Sequence, residues 1–138
     1  MIEYLDVALL SIRVIIGSFF LVHGFRKLLG ISEFIKWLGS HGYRPPILWA
    51  SLILIAEFLG GIGLLLGMLT KLFAIMMSIV MLQGIYHRKK IKSLSFVDGW
   101  EINYVSLSGL FPLILLGSGS ISLDRILGIQ LILWNFFF

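Results

Sequence analysis

Two titratable side chains interrupt long apolar stretches of this sequence, and both are suited to proton chemistry. His23 stands near the end of an apolar run that begins at Val7, and Glu57 lies about halfway along the apolar stretch from Ile47 to Leu69. Each could act as a general acid or base near neutral pH. Placing a charge at the centre of a bilayer costs on the order of 2.5–3.5 kcal/mol, so such a group usually has a partner or a role. We predict that His23 and Glu57 are catalytic.

Other polar residues of the apolar segments fall into two groups by depth. Arg13 and Asp124 belong to one end, where they form either an ion pair that holds the fold or part of a site. Lys27 and several later residues belong to the other end, near His23. Two glycines beside Glu57 either leave space for a ligand or let two helices touch. The predicted substrate-binding residues are Arg13, Lys27, Gly60, Gly61, Gln83, Glu101, Tyr104 and Asp124.

The composition indicates that these residues lie in a membrane. Hydrophobic residues make up 59% of the 138 residues and charged residues 13%, against about 45–50% and about 25% in soluble domains. A chain of this length has no core large enough to hide so much apolar surface, so lipid must cover it. We predict an integral membrane protein with a single domain over residues 1–138.

Four apolar segments are candidates for membrane-spanning helices, since a bilayer core about 30 Å thick needs about 20 apolar residues per helix. Between the first two, the segment SEFIKWLGSHGY has aromatic residues at helical spacing, which predicts a short interfacial helix. The predicted fold class is therefore an all-α transmembrane four-helix bundle. Its spans are expected at about residues 7–29, 47–69, 71–86 and 101–117, with the interfacial helix at about 32–42.

The two ends of the chain carry less information. The segment RILGIQLILWNFFF at the C-terminus is apolar but short for a span, so it could lie along the interface, return into the bundle or pack on a partner. At the N-terminus, Glu3 and Asp6 stand where a secretory signal would carry positive charge. The first apolar run therefore predicts a retained helix.

Lysine and arginine residues are concentrated in two connecting segments, one after the first span and one, HRKKIK, after the third. With four spans these segments lie on the same side of the membrane. The positive-inside rule places them in the cytoplasm and both termini outside, so we expect a multi-pass protein of the cell membrane. We interpret HRKKIK as a topology signal that also contacts anionic lipid, and we expect no nucleic-acid partner.

The sequence contains no cysteine, which excludes thiolate metal sites, iron–sulfur ligation and a dithiol relay within this chain. Three histidines scattered over three segments do not form the pattern of a zinc or haem site. We therefore expect no metal and no covalently bound cofactor. Any electrons would have to come from a bound molecule or from a partner.

Four short motifs resemble those of the DoxX family of small four-helix membrane proteins. RVIIGSFFLVHGFRK, residues 13–27, is similar to the first-helix pattern of the family, and AEFLGGIGLLLGMLTK, residues 56–71, to its second-helix pattern. GWEINYVSL, residues 99–107, resembles the entry into its fourth helix, and GSGSISLD, residues 117–124, its closing motif. The motifs occur in family order, and the chain departs from many members in its apolar tail.

The resemblance implies a four-helix bundle and redox chemistry at the membrane that involves quinones or sulfur compounds. Family members include the small subunit of archaeal thiosulfate:quinone oxidoreductase, components linked to quinone or catechol stress, and a mycobacterial membrane partner of superoxide dismutase and a sulfurtransferase. The polar positions that match the family motifs are Arg13, His23, Lys27, Glu57, Glu101 and Asp124.

Three functions compete at this stage. The first is a membrane subunit of a redox system that binds quinone, with the electron-donating centre on a partner. The second is a non-catalytic adaptor that anchors a soluble enzyme, and the third is a small-solute or proton carrier. The expected partners are the lipid membrane, a soluble redox enzyme or sulfurtransferase, and further copies of the chain in a homo-oligomer, whose copy number the sequence does not fix.

Overall fold

The computed structural model describes residues 3–128, and this part of the chain is helical without a β-strand. Four helical segments are long and apolar enough to cross a membrane, with 21 to 26 residues each. The fourth, Phe96–Leu116, has non-helical backbone at Val97 and Asp98, and its regular helix begins at Glu101. This confirms the predicted fold class. The helices are α1 (Tyr4–Leu29), α2 (Ile31–Ser40), α3 (Pro46–Leu66), α4 (Thr70–Ile91), α5 (Glu101–Leu116) and the single turn α6 (Leu123–Ile126). The predicted alternatives for the apolar C-terminal segment concern mainly residues 129–138, which lie outside the described part.

Two C-terminal ends of the spanning helices differ by several residues from the expected limits. α3 stops at Leu66, three residues early, because Gly67 takes a left-handed conformation with φ of 66°, which is a common way for a helix to end. α4 continues to Ile91 through the basic residues that were expected in a loop. Cations are favoured at a helix C-terminus, and their long side chains reach the interface, so the helix need not end at its last apolar residue.

The main core is formed by all four spanning helices. Its buried side chains come from both ends of α1, from the second half of α3, from the middle of α4 and from α5. They are Leu9, Phe20, Leu64, Ala74, Met77, Met81, Leu110 and Leu113. A smaller cluster, formed by Leu38, Ala50 and Ile53, joins α2 to the first half of α3. The short helix α2 is thereby fixed against one end of the bundle.

Glycines set the distance between α1 and α3. A Cβ atom at Gly61 would lie 2.6 Å from the backbone nitrogen of Leu21, and one at Gly24 would lie 2.6 Å from that of Phe58. Such close backbone approach needs small residues at the contact. At these positions the glycines therefore pack helices and leave no space for a ligand.

A π-helical segment interrupts α3 at Ile55–Leu59. The N–H of Gly60 donates to the carbonyl of Ile55, five residues earlier. Single wide turns of this kind are rare and are frequently found at functional sites. Glu57 is the central residue of this segment.

At the end of the bundle that carries the start of α1, Asp124 joins the turn α6 to the start of α4. Its carboxylate accepts hydrogen bonds from the backbone N–H groups of Leu69 (2.6 Å) and Thr70 (3.0 Å), at the start of α4. Arg13 is buried nearby and donates to the carbonyl of Ile121. The hydrogen bonds of Arg13 and Asp124 thus go to backbone atoms, and each side chain ties distant parts of the chain together.

Replacing Asp124 with alanine is expected to lower the free energy of unfolding by about 1–2 kcal/mol, as loss of a helix cap does. Asp124→Asn keeps one acceptor oxygen and should cost less. Thermal unfolding of the protein in mild detergent, followed by circular dichroism, measures both. Glu33→Ala, at an exposed carboxylate on α2, is the control. An equal effect of Asp124→Ala and Glu33→Ala would contradict the capping role.

Candidate functional site

The carboxylate of Glu57 lies inside the bundle, where only 2% of the residue is exposed. Both of its oxygens accept hydrogen bonds from the ammonium group of Lys27, at 2.5 Å. The side chain of Lys27 is 31% exposed. A buried ion pair of this kind is costly to desolvate, so it is weak evidence for stability. It does place a proton donor and a proton acceptor side by side at a fixed point in the membrane.

The positions of both partners follow from the helices that carry them. Lys27 lies one turn after Gly24 on α1, and Gly24 is packed against the backbone of Phe58 in the π-helical segment. The contact at Gly24 therefore brings the last turns of α1 against the turn that carries Glu57.

A cavity of about 360 Å³ adjoins the ion pair. This volume lies within the about 300–1,000 Å³ that is typical of small-molecule sites. Its walls come from α2, α3, α4 and α5 together with the end of α1. The lining residues are Lys27, Phe34, Trp37, Leu38, Tyr43, Ile53, Glu57, Val80, Met81, Gln83, Gly84, His87, Arg88, Lys92, Leu94 and Asn103.

Two buried polar side chains in the cavity wall have atoms without a hydrogen-bond partner in the described part of the chain. His87 is 6% exposed, and neither of its ring nitrogens has a partner among residues 3–128. Asn103 is also 6% exposed; its amide nitrogen contacts the sulfur of Met81 at 3.5 Å, and its carbonyl oxygen has no partner. Most buried polar groups in proteins are satisfied. Unpaired ones that line a cavity are therefore candidates for ligand contacts.

Aromatic rings of α2 and the adjoining turn cover one side of this cavity. The ring of Trp37 lies 5.3 Å from that of His87 and 4.3 Å from that of His41, measured between centroids. His41 and His87 are 5.0 Å apart by the same measure. Phe34 stacks on Trp37 and also lies 5.4 Å from the ammonium of Lys27. The predicted interfacial helix thus forms an aromatic wall of the cavity.

The structure brings together three of the predicted site residues, Lys27, Glu57 and Gln83, around the cavity. His23 is not among them, because its side chain is exposed on α1 and stacks on Phe19 with 4.3 Å between ring centroids. His23 lies apart from the cavity because its side chain points in a different direction around the axis of α1. Lys27, one turn further along α1, turns inward at the level of Glu57.

The remaining predicted residues lie elsewhere. Glu101 accepts a hydrogen bond from the N–H of Asp98 at the start of α5, and Tyr104 is exposed beside Trp100. Arg13 and Asp124 belong to the opposite end of the bundle. The last two, Gly60 and Gly61, are buried in helix contacts.

His87 and Asn103 are two buried polar residues of the cavity wall that sequence reasoning did not include among the site residues. The signal for His87 was present, because it shares a helix face with Gln83, four residues earlier. No pattern marks Asn103. It reaches the cavity because Gly84 has no side chain: a Cβ atom there would lie 2.4 Å from the amide nitrogen of Asn103.

The comparisons with known proteins agree with this architecture. A family model described as DoxX matches residues 8–87, which include Lys27, Glu57 and His87. The Bacillus subtilis (strain 168) protein named "Putative oxidoreductase CatD" is 30% identical over 119 residues, which cover 86% of each chain.

Two Escherichia coli (strain K12) proteins are also similar. The protein named "Inner membrane protein YphA" is 30% identical over 125 residues, covering 86% of this chain and 89% of the relative. "Inner membrane protein YqjF" is 26% identical over 130 residues, covering 88% and 93%. No solved structure matches the chain. The four apolar helices and these relatives together support a multi-pass membrane protein.

Proposed function

Because this chain belongs to the DoxX family of membrane proteins, we propose that it is a quinone-binding membrane subunit of a redox system. The observation that carries the proposal is the cavity beside the Lys27–Glu57 pair, with the unpaired polar atoms of His87 and Asn103 in its wall. One relative bears the name of an oxidoreductase, which supports a redox role for this chain.

The residues of the cavity fit a planar ring with polar edges. Phe34, Trp37 and Tyr43 offer aromatic faces, and Ile53 and Val80 add apolar contacts. Aromatic rings stack in offset or edge-on arrangements at centroid distances of about 4.5–7 Å. His87 can donate a hydrogen bond to a quinone oxygen from a ring N–H. Few, well-placed polar groups in an apolar site fix the orientation of a ligand in this way.

Glu57 and His87 are the groups suited to proton exchange. Reduction of a quinone to a quinol takes up two electrons and two protons. A carboxylate and an imidazole within hydrogen-bonding reach of the reacting oxygen can each accept a proton as a general base, and each can pass a proton to that oxygen as a general acid once it is protonated. Lys27 has a positioning role, because it holds the Glu57 carboxylate at the cavity wall.

The electrons must come from a partner. The chain has no cysteine to carry them, so we propose that a soluble redox enzyme or a sulfurtransferase docks at this end of the bundle. Arg88 and Lys92 lie beside the cavity at this same end. By the positive-inside rule this end faces the cytoplasm.

Photo-crosslinking with an azido-quinone tests the site. His87→Ala is expected to reduce labelling about tenfold, because a buried hydrogen bond to the ligand is worth on the order of 1–2 kcal/mol. His23→Ala removes the same side chain from the exposed face of α1 and should leave labelling unchanged. Mass spectrometry should find the label on peptides of α2 or α4.

Equal labelling of the wild type and His87→Ala would contradict the assignment. So would an equal loss in His23→Ala. Both variants are compared with the wild type by thermal unfolding, so that a loss of labelling is not confused with a loss of fold.

A further inference from the structure

Two cations beside the cavity have no carboxylate partner within residues 3–128. In residues 3–128, neither Arg88 nor Lys92 lies within 4.0 Å of an acidic side chain. Arg88 is partly buried and donates one hydrogen bond to the carbonyl of Gly99 at 2.7 Å. Lys92 is exposed, and its ammonium lies 5.8 Å from the ring of Trp37. Both residues line the cavity.

The acidic residue of the cavity lining does not neutralise the charges of Arg88 and Lys92. Glu57 is the acidic residue among the lining residues, and both of its oxygens are already bound to Lys27. The remaining charge in the wall is therefore that of Arg88 and Lys92. With neutral His87, the lining as a whole carries three cations and one carboxylate.

The general preference for cations at the end of α4 does not explain why Arg88 and Lys92 line the cavity. A helix C-terminus and the cytoplasmic surface of a membrane both favour lysine and arginine. Those effects apply equally to Lys89 and Lys90, which are also on the last turns of α4. Lys89 lies instead over the ring of Trp100, at 5.3 Å from its centroid, and Lys90 is exposed. Of the four cations Arg88, Lys89, Lys90 and Lys92, two line the cavity, namely Arg88 and Lys92.

We propose that the ligand of this cavity is an anionic quinone, with its ring between α2 and α4 and its anionic group at Arg88 and Lys92. This inference rests on the proposed function and adds the charge of the ligand to it. Arginine and lysine bind carboxylate, sulfonate or phosphate oxygens through charge-assisted hydrogen bonds, which are about twice as strong as neutral ones. The polar edge of the ring would then lie toward His87, next to the ion pair.

Two probes that differ by one fixed charge test the proposal. The protein is purified whole in nanodiscs of phosphatidylcholine, and binding of naphthoquinone and naphthoquinone sulfonate is measured by quenching of tryptophan fluorescence. The wild type is expected to bind the sulfonate about tenfold more tightly than the parent compound. This advantage should shrink as the salt concentration rises, because salt screens exposed charges.

Substitution of Lys92 locates the effect. Lys92→Gln is expected to remove most of the preference for the sulfonate over neutral naphthoquinone. Lys90→Gln, a matched change two residues earlier near the same helix end, should keep the preference. Equal affinity of the wild type for the two probes would overturn the proposal, and so would an equal loss of preference in Lys90→Gln.

The same measurements separate this inference from the proposed function. Tight binding of naphthoquinone without a preference for the sulfonate would overturn the anionic ligand alone. Absence of binding of either probe would overturn the quinone site itself.

A lipid headgroup could supply the same anionic chemistry. Nanodiscs that contain phosphatidylglycerol distinguish this source. If the preference for the sulfonate persists in them, the cations serve the ligand. If it disappears, they are occupied by lipid phosphate, and the assignment to the ligand is overturned.

Discussion

Lys27→Met is expected to lower the free energy of unfolding by about 3 kcal/mol, the lower end of the range for removing one partner of a buried ion pair. The change leaves the carboxylate of Glu57 without a counter-ion in a position that is 2% exposed. The lower end applies because Lys27 itself is partly exposed. The measurement is equilibrium unfolding in mixed detergent micelles, with Lys36→Met on the exposed face of α2 as the control.

Removal of the other partner should cost less. Glu57→Gln leaves the ammonium of Lys27, whose long side chain can move toward the interface. The double variant Lys27→Met with Glu57→Gln leaves no charge at this position and should be more stable than Lys27→Met alone. A double-mutant cycle measures this coupling. Additive effects of the two substitutions would show that the pair is not coupled and would contradict the structure at this point.

Gly24→Ala is the second change with a large expected effect. Its Cβ atom would lie 2.6 Å from the backbone nitrogen and 2.8 Å from the Cα of Phe58. Backbone atoms cannot move aside as the end of a side chain can, so α1 and α3 must separate. Overpacking of this kind costs about 1–3 kcal/mol, and we expect the upper part of that range. The separation also moves Lys27 away from Glu57, so labelling by the azido-quinone should fall.

Gly39→Ala is the matched control, because it adds the same methyl group inside a helix. Its Cβ atom would lie 3.7 Å from the nearest side-chain atom, in Pro46, which is ordinary contact. Alanine is the better helix former, by up to about 1 kcal/mol. Gly39→Ala should therefore be neutral or slightly stabilising. If Gly24→Ala behaves in the same way in thermal unfolding, the close contact of α1 with α3 is not present in the protein.

The sequence was sufficient to predict the fold class, because the length and the apolar composition of a segment are enough to identify a membrane-spanning helix. Four apolar segments had to be helices in lipid, where every backbone polar group must be satisfied. The ends of α3 and α4 were less predictable. The end of α3 depends on the left-handed conformation of Gly67. The end of α4 depends on the fact that a helix can continue through the basic residues Arg88, Lys89 and Lys90.

The burial of Glu57 was predictable from the sequence. Glu57 is marked by its depth in an apolar segment, whatever surrounds it. Which residue pairs with Glu57 depends on how α1 is rotated about its axis. The two candidates near this end of α1 are His23 and Lys27, whose side chains point in directions about one ninth of a turn apart around that axis. In the structure Lys27 contacts Glu57 and His23 is exposed on α1.

Contacts between distant parts of the chain were the least predictable. Trp37, His41 and His87 meet because α2 folds back on the start of α3 through the cluster of Leu38, Ala50 and Ile53. Local sequence patterns do not encode this arrangement. The same is true of the hydrogen bonds from Asp124 to the start of α4, which join residues 54 and 55 positions apart.

The wide turn at Ile55–Leu59 has a consequence for how α3 specifies its neighbours. An extra residue in a helical turn shifts every later side chain by about 100° around the axis. The first half of α3 therefore directs Ala50 and Ile53 toward α2, while the second half directs Gly61 and Leu64 toward α1 and the main core. Composition places this helix in the membrane. The number of residues in α3, in contrast, determines the direction of each side chain around the helix axis, including that of Glu57 toward Lys27. Deleting one residue would change these directions with almost no change in the hydropathy of the span.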